Sequence, residues 1–148
     1  MRSRRAAREW ALRVLYASRL SGNSTSECFG DILRDAKEDS NLAFCRSLVE
    51  KVAHEDQALD SWIKTAVEKW ELSRLAVMDL IILRMAIAEF LFFEDIPFKV
   101  TINEAIELAK QYSTAQSGRF VNGILDAVCA ELRKKEPRSK KTRATAHD

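Results

Sequence analysis

The chain is poor in the residues that break helices and in those that do chemistry. It has 4 Gly and 2 Pro in 148 residues, too few for the frequent turns of an all-β domain, and it shows neither a β-hairpin signal nor an internal repeat. Its 3 cysteines, Cys28, Cys45 and Cys129, are odd in number and far apart, with no CxxC pair. That excludes a disulfide framework or a zinc site and predicts buried free thiols. Two histidines cannot build a His-rich metal site: His147 sits in a polar tail, and His54 stands beside Glu55 and Asp56. Both read as solvated surface. No apolar run reaches the roughly 18 residues of a membrane span. No uninterrupted apolar segment follows the basic Met1-Arg-Ser-Arg-Arg5, so a secretory signal is not expected and the cytoplasm is. Neither a Gly-rich cofactor loop nor a nucleophile–base set is present, so the reading is of a non-enzyme without catalytic residues, cofactor or metal.

What is there favours an all-α fold. The chain is 47% hydrophobic and 31% charged, rich in helix formers, and of a length that fits one domain with a real core. Its net charge is only +2, but the distribution is uneven. Residues 1–19 carry six arginines (Arg2, Arg4, Arg5, Arg8, Arg13, Arg19) against Glu9. Residues 133–148 carry seven basic side chains against Glu136 and Asp148. Each end is therefore +5 and the middle −8. Basic ends on an acidic body suit a polyanion at one surface and a basic partner at another. The folded domain is expected over 1–135, with 136–148 a disordered basic tail lacking apolar content.

Helix signals follow one another closely. A first helix is predicted from about residue 3 to Leu20, stopped by Ser21-Gly-Asn-Ser24. Ser24-x-x-Glu27 reads as a capping box opening a second helix to about Lys37. A third begins near Asn41 with Phe44, Leu48 and Val52 on one stripe, and runs on or breaks near His54 before Leu59, Ile63, Val67 and Trp70. Ser73 is a candidate cap for a helix apolar nearly all round, from Leu75 to Leu91, expected to be central and roughly 20 residues long. Pro97 is expected to end it. Thr101-x-x-Glu104 reads as a second capping box, with Ile102, Ile106 and Ala109 on one face. Ser117 is the candidate cap of a last helix bearing Phe120, Ile124, Val128 and Leu132. The sum is six or seven helices in a compact bundle.

Two segments could bind nucleic acid. At about 100° per residue, Arg8 and Arg19 fall within roughly 60° of Arg5, and Tyr16 within roughly 20°. Ala7, Ala11, Val14 and Ala17 lie opposite, and Trp10 leans towards them as a core residue. Guanidinium forks for phosphates and an aromatic for an unstacked base are what single-stranded RNA asks for. Arg2 and Arg4 add charge at the helix N-terminus. The second segment is Ser117–Asn122: free N–H groups, Gly118 for close approach, Arg119 for charge, and Phe120 and Asn122 for stacking and base-edge bonds. For Phe120, the competing reading is the first core residue of the last helix.

The segments Arg4-Arg-Ala-Ala-Arg-Glu-Trp-Ala-Leu-Arg-Val-Leu-Tyr16, Val77-Met-Asp-Leu-Ile-Ile-Leu-Arg-Met-Ala-Ile-Ala-Glu89, Asp95-Ile-Pro-Phe-Lys-Val-Thr-Ile-Asn-Glu-Ala-Ile-Glu-Leu-Ala-Lys110 and Ser117-Gly-Arg-Phe-Val-Asn-Gly-Ile-Leu-Asp126 together resemble the NusB family of bacterial transcription antitermination factors. The likeness covers about residues 2–132 and is weakest between Ser21 and Asn41. It implies an all-helical fold of two packed three-helix-type subdomains. It also implies binding to the boxA element of single-stranded RNA with a NusE-type ribosomal protein. That pair joins the elongating RNA polymerase and other Nus factors, suppressing termination notably on ribosomal RNA operons. On matching positions Arg4, Arg5, Arg8, Tyr16, Arg119 and Phe120 would contact RNA, whereas Asp79, Leu83 and Arg84 would meet the NusE-type partner. Asp79 also suits a basic partner, its plain alternatives being an exposed helix acid or an intrahelical pair with Arg84. Gln116 stands where many relatives carry an acid, Ala6 replaces a base found in some, and the basic tail is not a family hallmark. Two other classes are weighed: a related helical domain occurs fused to RNA cytosine methyltransferases, and some relatives form homodimers that would hide the arginine face.

Overall fold

A computed structural model describes residues 1–67 and 75–135 of the chain. Among them are seven helices, in order α1 (Arg4–Ser21), α2 (Thr25–Ile32), α3 (Ser40–His54), α4 (Asp56–Val67), α5 (Val77–Phe92), α6 (Phe98–Tyr112) and α7 (Ser117–Lys135). The described residues hold no strand. The expectations for Trp70, Ser73, His147 and the tail 136–148 lie outside the described residues. The chain divides into two units, Met1–Asp56 and Gln57–Asp148. The first holds three helices; the second holds α5, α6, α7 and nearly all of α4.

In the first unit, Ser3 caps α1 by accepting the Ala6 N–H at 3.0 Å, and Gly22 ends it in the left-handed region at φ 81°. Only glycine adopts that conformation without strain, and its N–H closes the helix on the Ser18 carbonyl at 3.0 Å. Ala7, Ala11, Leu12, Val14 and Leu15 bury one face of α1. Leu42, Cys45, Leu48, Val49 and Val52 supply the core face of α3, which lies against α1. Two alanines on the buried stripe let the backbones approach, so the core is filled by the larger α3 residues. Ser24 caps α2 through the Glu27 N–H at 3.1 Å, but the expected return bond from the Glu27 side chain is replaced by the Ser24 hydroxyl donating to Glu27 Oε1 at 3.2 Å. The helix stops at Ile32 rather than near Lys37. Asp39 caps α3, accepting from the Leu42 N–H at 2.8 Å and from the terminal ammonium of Met1 at 2.7 Å. That ammonium contact, with the helix N–H groups, holds the Asp39 carboxyl below the usual carboxylate range.

In the second unit α5 is buried on nearly every side: Leu80, Ile81, Ile82, Leu83, Met85, Ala86, Ile87 and Ala88 are all 5% exposed or less. It runs 16 residues, shorter than expected, and ends at Phe92. Pro97 is not its stop. The proline stands at the N-cap of α6 instead, where its missing N–H costs nothing. Consequently Thr101 lies inside α6, is 1% exposed, and donates its hydroxyl to Glu89 Oε1 on α5 at 2.8 Å. The expected second capping box is therefore a tie between helices, giving a buried carboxylate a donor. Arg84 forms a bidentate pair with Asp60, at 2.7 and 2.8 Å, that fastens α5 to α4. Gly118 is buried, and a side-chain carbon there would meet Lys110 Cγ at 3.3 Å and Ile106 Cγ2 at 3.4 Å. Its smallness serves the α6–α7 contact, not the ligand approach expected of it. Cys28, Cys45 and Cys129 are free and buried, as expected.

Candidate RNA and partner surfaces

On α1 the described side chains divide sharply. Arg4, Arg5, Arg13 and Arg19 are exposed, as is Arg2 just before the helix; Tyr16 is half-buried, and Arg8 is 4% exposed. The buried Arg8 departs from the wheel, which places it on the outer face. The reason is Phe44 of α3, whose ring lies under two guanidinium groups, Arg4 at 4.5 Å and Arg8 at 5.2 Å from the ring centre. A helical wheel treats α1 as isolated, whereas the neighbouring helix covers Arg8 and gives its cation a π face. Trp10 is half-buried, with Arg13 4.8 Å above its ring, so it is a partial core residue rather than a fully covered one.

In the second unit, Arg119 and Phe120 line one cleft of about 600 Å³ with Ala115 and Gln116. Arg119 is exposed and Phe120 half-buried. The core stripe of α7 starts one residue later, at Val121 (0% exposed), so Phe120 is not its first core residue. Asn122 is half-buried and lines neither that cleft nor its neighbour. Ser117 is the first residue of α7, not its cap. Its Oγ accepts the Thr114 N–H at 3.3 Å and donates to Asp79 Oδ2 at 3.2 Å.

The three residues expected to meet a protein partner do not form a surface patch. Leu83 is 0% exposed and belongs to the core; burial leaves it no face to offer. Asp79 is 8% exposed, neither an exposed helix acid nor the partner of Arg84, because Asp60 holds Arg84 and Ser117 holds Asp79. Arg84 itself remains partly accessible, with 17% of its side chain exposed beside the 22% of Asp60. The sequence carries a signal for these contacts: Asp79, Arg84 and Glu89 interrupt an apolar helix, and buried charges demand partners. Among the described residues no group of three or more His, Cys, Asp or Glu could hold a metal, and no helix is long and apolar enough to cross a membrane.

Fold and surface define a class: a small all-α protein of two helical units, with an arginine-lined first helix. A family model described as the NusB family matches residues 5–130. The transcription antitermination protein NusB of Natranaerobius thermophilus is 40% identical over 136 residues, covering 89% of this chain and 98% of that protein. Its counterpart in Desulfitobacterium hafniense is 40% identical over 144 residues, covering 95% and 97%. Among solved structures, T. maritima NusB matches with a TM-score of 0.82 and 36% identity over 87% of this chain and 92% of that one. A complex of antitermination factors NusB and NusE with double-stranded RNA matches with a TM-score of 0.78 and 28% identity, over 86% and 96%. The chain belongs to the NusB family.

Proposed function

We infer that this chain is a transcription antitermination factor that binds boxA-type single-stranded RNA together with a NusE-type ribosomal protein. The exposed arginines of α1, among them Arg4 and Arg5, with Arg2 just before the helix, are the observation that carries the reading: a cationic face that phosphates can reach. Family membership and a structural relative caught with NusE and double-stranded RNA support it. In this reading Arg2, Arg4 and Arg5 hold phosphates, Tyr16 offers a ring or hydroxyl, and Arg8 is a positioning residue that fixes Phe44 and Arg4. Arg119 and Phe120 add a second RNA contact, with Asn122 beside them. The NusE-type protein meets α5 at the partly accessible Arg84–Asp60 pair. The complex joins the elongating RNA polymerase with other Nus factors, notably on ribosomal RNA operons. The chain acts by binding and not by catalysis, needs no cofactor, and works in the cytoplasm through a folded domain of residues 1–135 and a basic tail of 136–148.

Fluorescence anisotropy of a labelled boxA RNA against a scrambled control, with and without the purified ribosomal protein, tests this. A boxA preference that sharpens with the partner is expected; equal, salt-sensitive binding to both RNAs, indifferent to the partner, would overturn it. Mass measured against concentration, with and without RNA, separates this adaptor from a homodimer that covers α1, because RNA competes only with the latter.

A further inference from the structure

The start of α1 is held in place by α3 and its cap. Asp39 takes the terminal ammonium of Met1 at 2.7 Å, Asn41 Nδ2 donates to the Met1 carbonyl at 2.9 Å, and Phe44 lies under the guanidinium groups of Arg4 and Arg8. Arg4 and Arg8 stand one turn apart on the same helix, where like charges repel. Both nevertheless converge on a single ring, at 4.5 and 5.2 Å from its centre. Phe44 is 6% exposed and so offers no free face to a base, whereas Arg4 stays exposed. Arg46 shows another way to fix a guanidinium. It too lies over a ring, Phe29 at 5.3 Å, but it gives its fork to Glu38 at 3.0 and 3.4 Å. A carboxylate fixes such a group and cancels its charge; a ring fixes it and leaves the charge in place.

We propose that Phe44 is a positioning residue for RNA binding: its ring holds Arg4 in the pose that meets a phosphate, so that the affinity of α1 for RNA depends on a side chain of α3 that touches no RNA. An arginine loses rotamer freedom when it grips a phosphate, and a group already restrained has less to lose. Arg8, buried against the same ring, adds positive charge beside Arg4 and is itself too covered to grip an anion. The two cations therefore favour one phosphate at the exposed Arg4, where it also relieves their mutual repulsion. By its spacing Phe44 shares a stripe with Leu48 and Val52, which are core residues. Packing asks of position 44 only an apolar side chain of this size, whereas holding Arg4 asks for an electron-rich ring face. The inference rests on the RNA-binding reading above and adds to it a residue of the neighbouring helix.

The two demands separate in an experiment on the full chain. A trifluorinated phenylalanine placed at position 44 drains electron density from the ring face and keeps the apolar bulk. Affinity for a labelled boxA-type RNA is measured for this protein and for the wild type, each with and without Arg4→Ala. Fluorination should weaken binding about three- to tenfold when Arg4 is present and hardly at all in Arg4→Ala, with helix content unchanged by circular dichroism. Equal affinities of the fluorinated and ordinary proteins overturn the proposal, and Phe44 is then a core residue only. A loss that persists undiminished in Arg4→Ala overturns it as well, since the ring then acts through some other group. In the wild type alone, the Arg4 Nε–H proton should resonate upfield under the ring current and stay upfield in the RNA complex; this measurement decides the matter even if the fluorinated chain does not fold. Loss of that shift on binding overturns the proposal, because the RNA then lifts Arg4 off the ring. Each of these failures leaves the RNA-binding reading standing, whereas a wild type that binds no RNA sinks both together.

Discussion

Helices α1 and α5 handle charge in opposite ways. In the first unit α1 keeps four of its five arginines in water and buries only Arg8, which is set over Phe44. In the second unit α5 takes Asp79 and Glu89 into the interior and must find each a donor: Ser117 for one, Thr101 for the other. A surface charge costs little and is free to meet a ligand, whereas a buried one has to be answered by structure. The first arrangement makes a helix whose cationic face can change without harm to the fold. In the second, altering a polar residue risks the fold and the site together.

The comparison breaks most visibly at Leu83. Replacing it by alanine should cost about 2–5 kcal/mol, seen as a lower urea midpoint, because a fully buried leucine leaves a cavity. A neutral result would mean that it lies on a partner surface after all. Next comes Arg84→Ala, which strands Asp60 half-buried and should cost about 1–2 kcal/mol while also weakening binding of the ribosomal protein in a pull-down. Stability loss without a binding defect would remove that pair from the partner surface. A smaller and pH-dependent effect belongs to Cys45, whose thiol burial pushes from 9.0 up to about 12. Below pH 9 the thiol is neutral in both states and the contribution is fully present. As pH rises towards 12 the unfolded chain ionises first, so stability should fall by on the order of 1 kcal/mol per pH unit. Urea titrations between pH 8 and 11 of the wild type and Cys45→Ala would show the variant's slope to be flatter. The smallest effect on stability is expected for Arg5→Ala, within about 0.5 kcal/mol. It should nevertheless flatten the salt dependence of RNA affinity by roughly 0.7 log unit per lost phosphate contact. An unchanged slope in a folded variant would take α1 out of the RNA site.

Much of the helical plan was legible in the residues. Gly22 as the end of α1, Ser24 before α2 and the apolar face from Leu59 to Val67 follow from local chemistry, which acts within a turn or two of chain, whereas near His54 it allowed either a continuous helix or the break that is found. Local rules misled where a polar residue had a distant use. Thr101 carries the signature of a cap and is spent on Glu89; Ser117 looks like a cap and serves Asp79; Gly118 looks open to a ligand and is filled by α6. Each answers a neighbour far along the chain that no short-range pattern contains.

By itself, then, the amino-acid sequence determined an all-α chain with cationic arginines on its first helix, because helix propensity, capping and charge are properties of residues and their near neighbours. The family likeness, too, could be read from it. Only the tertiary structure decided which charged groups reach solvent. Arg8, Asp79 and Leu83 are buried where the residue pattern alone left them open to solvent, because exposure depends on what other helices cover.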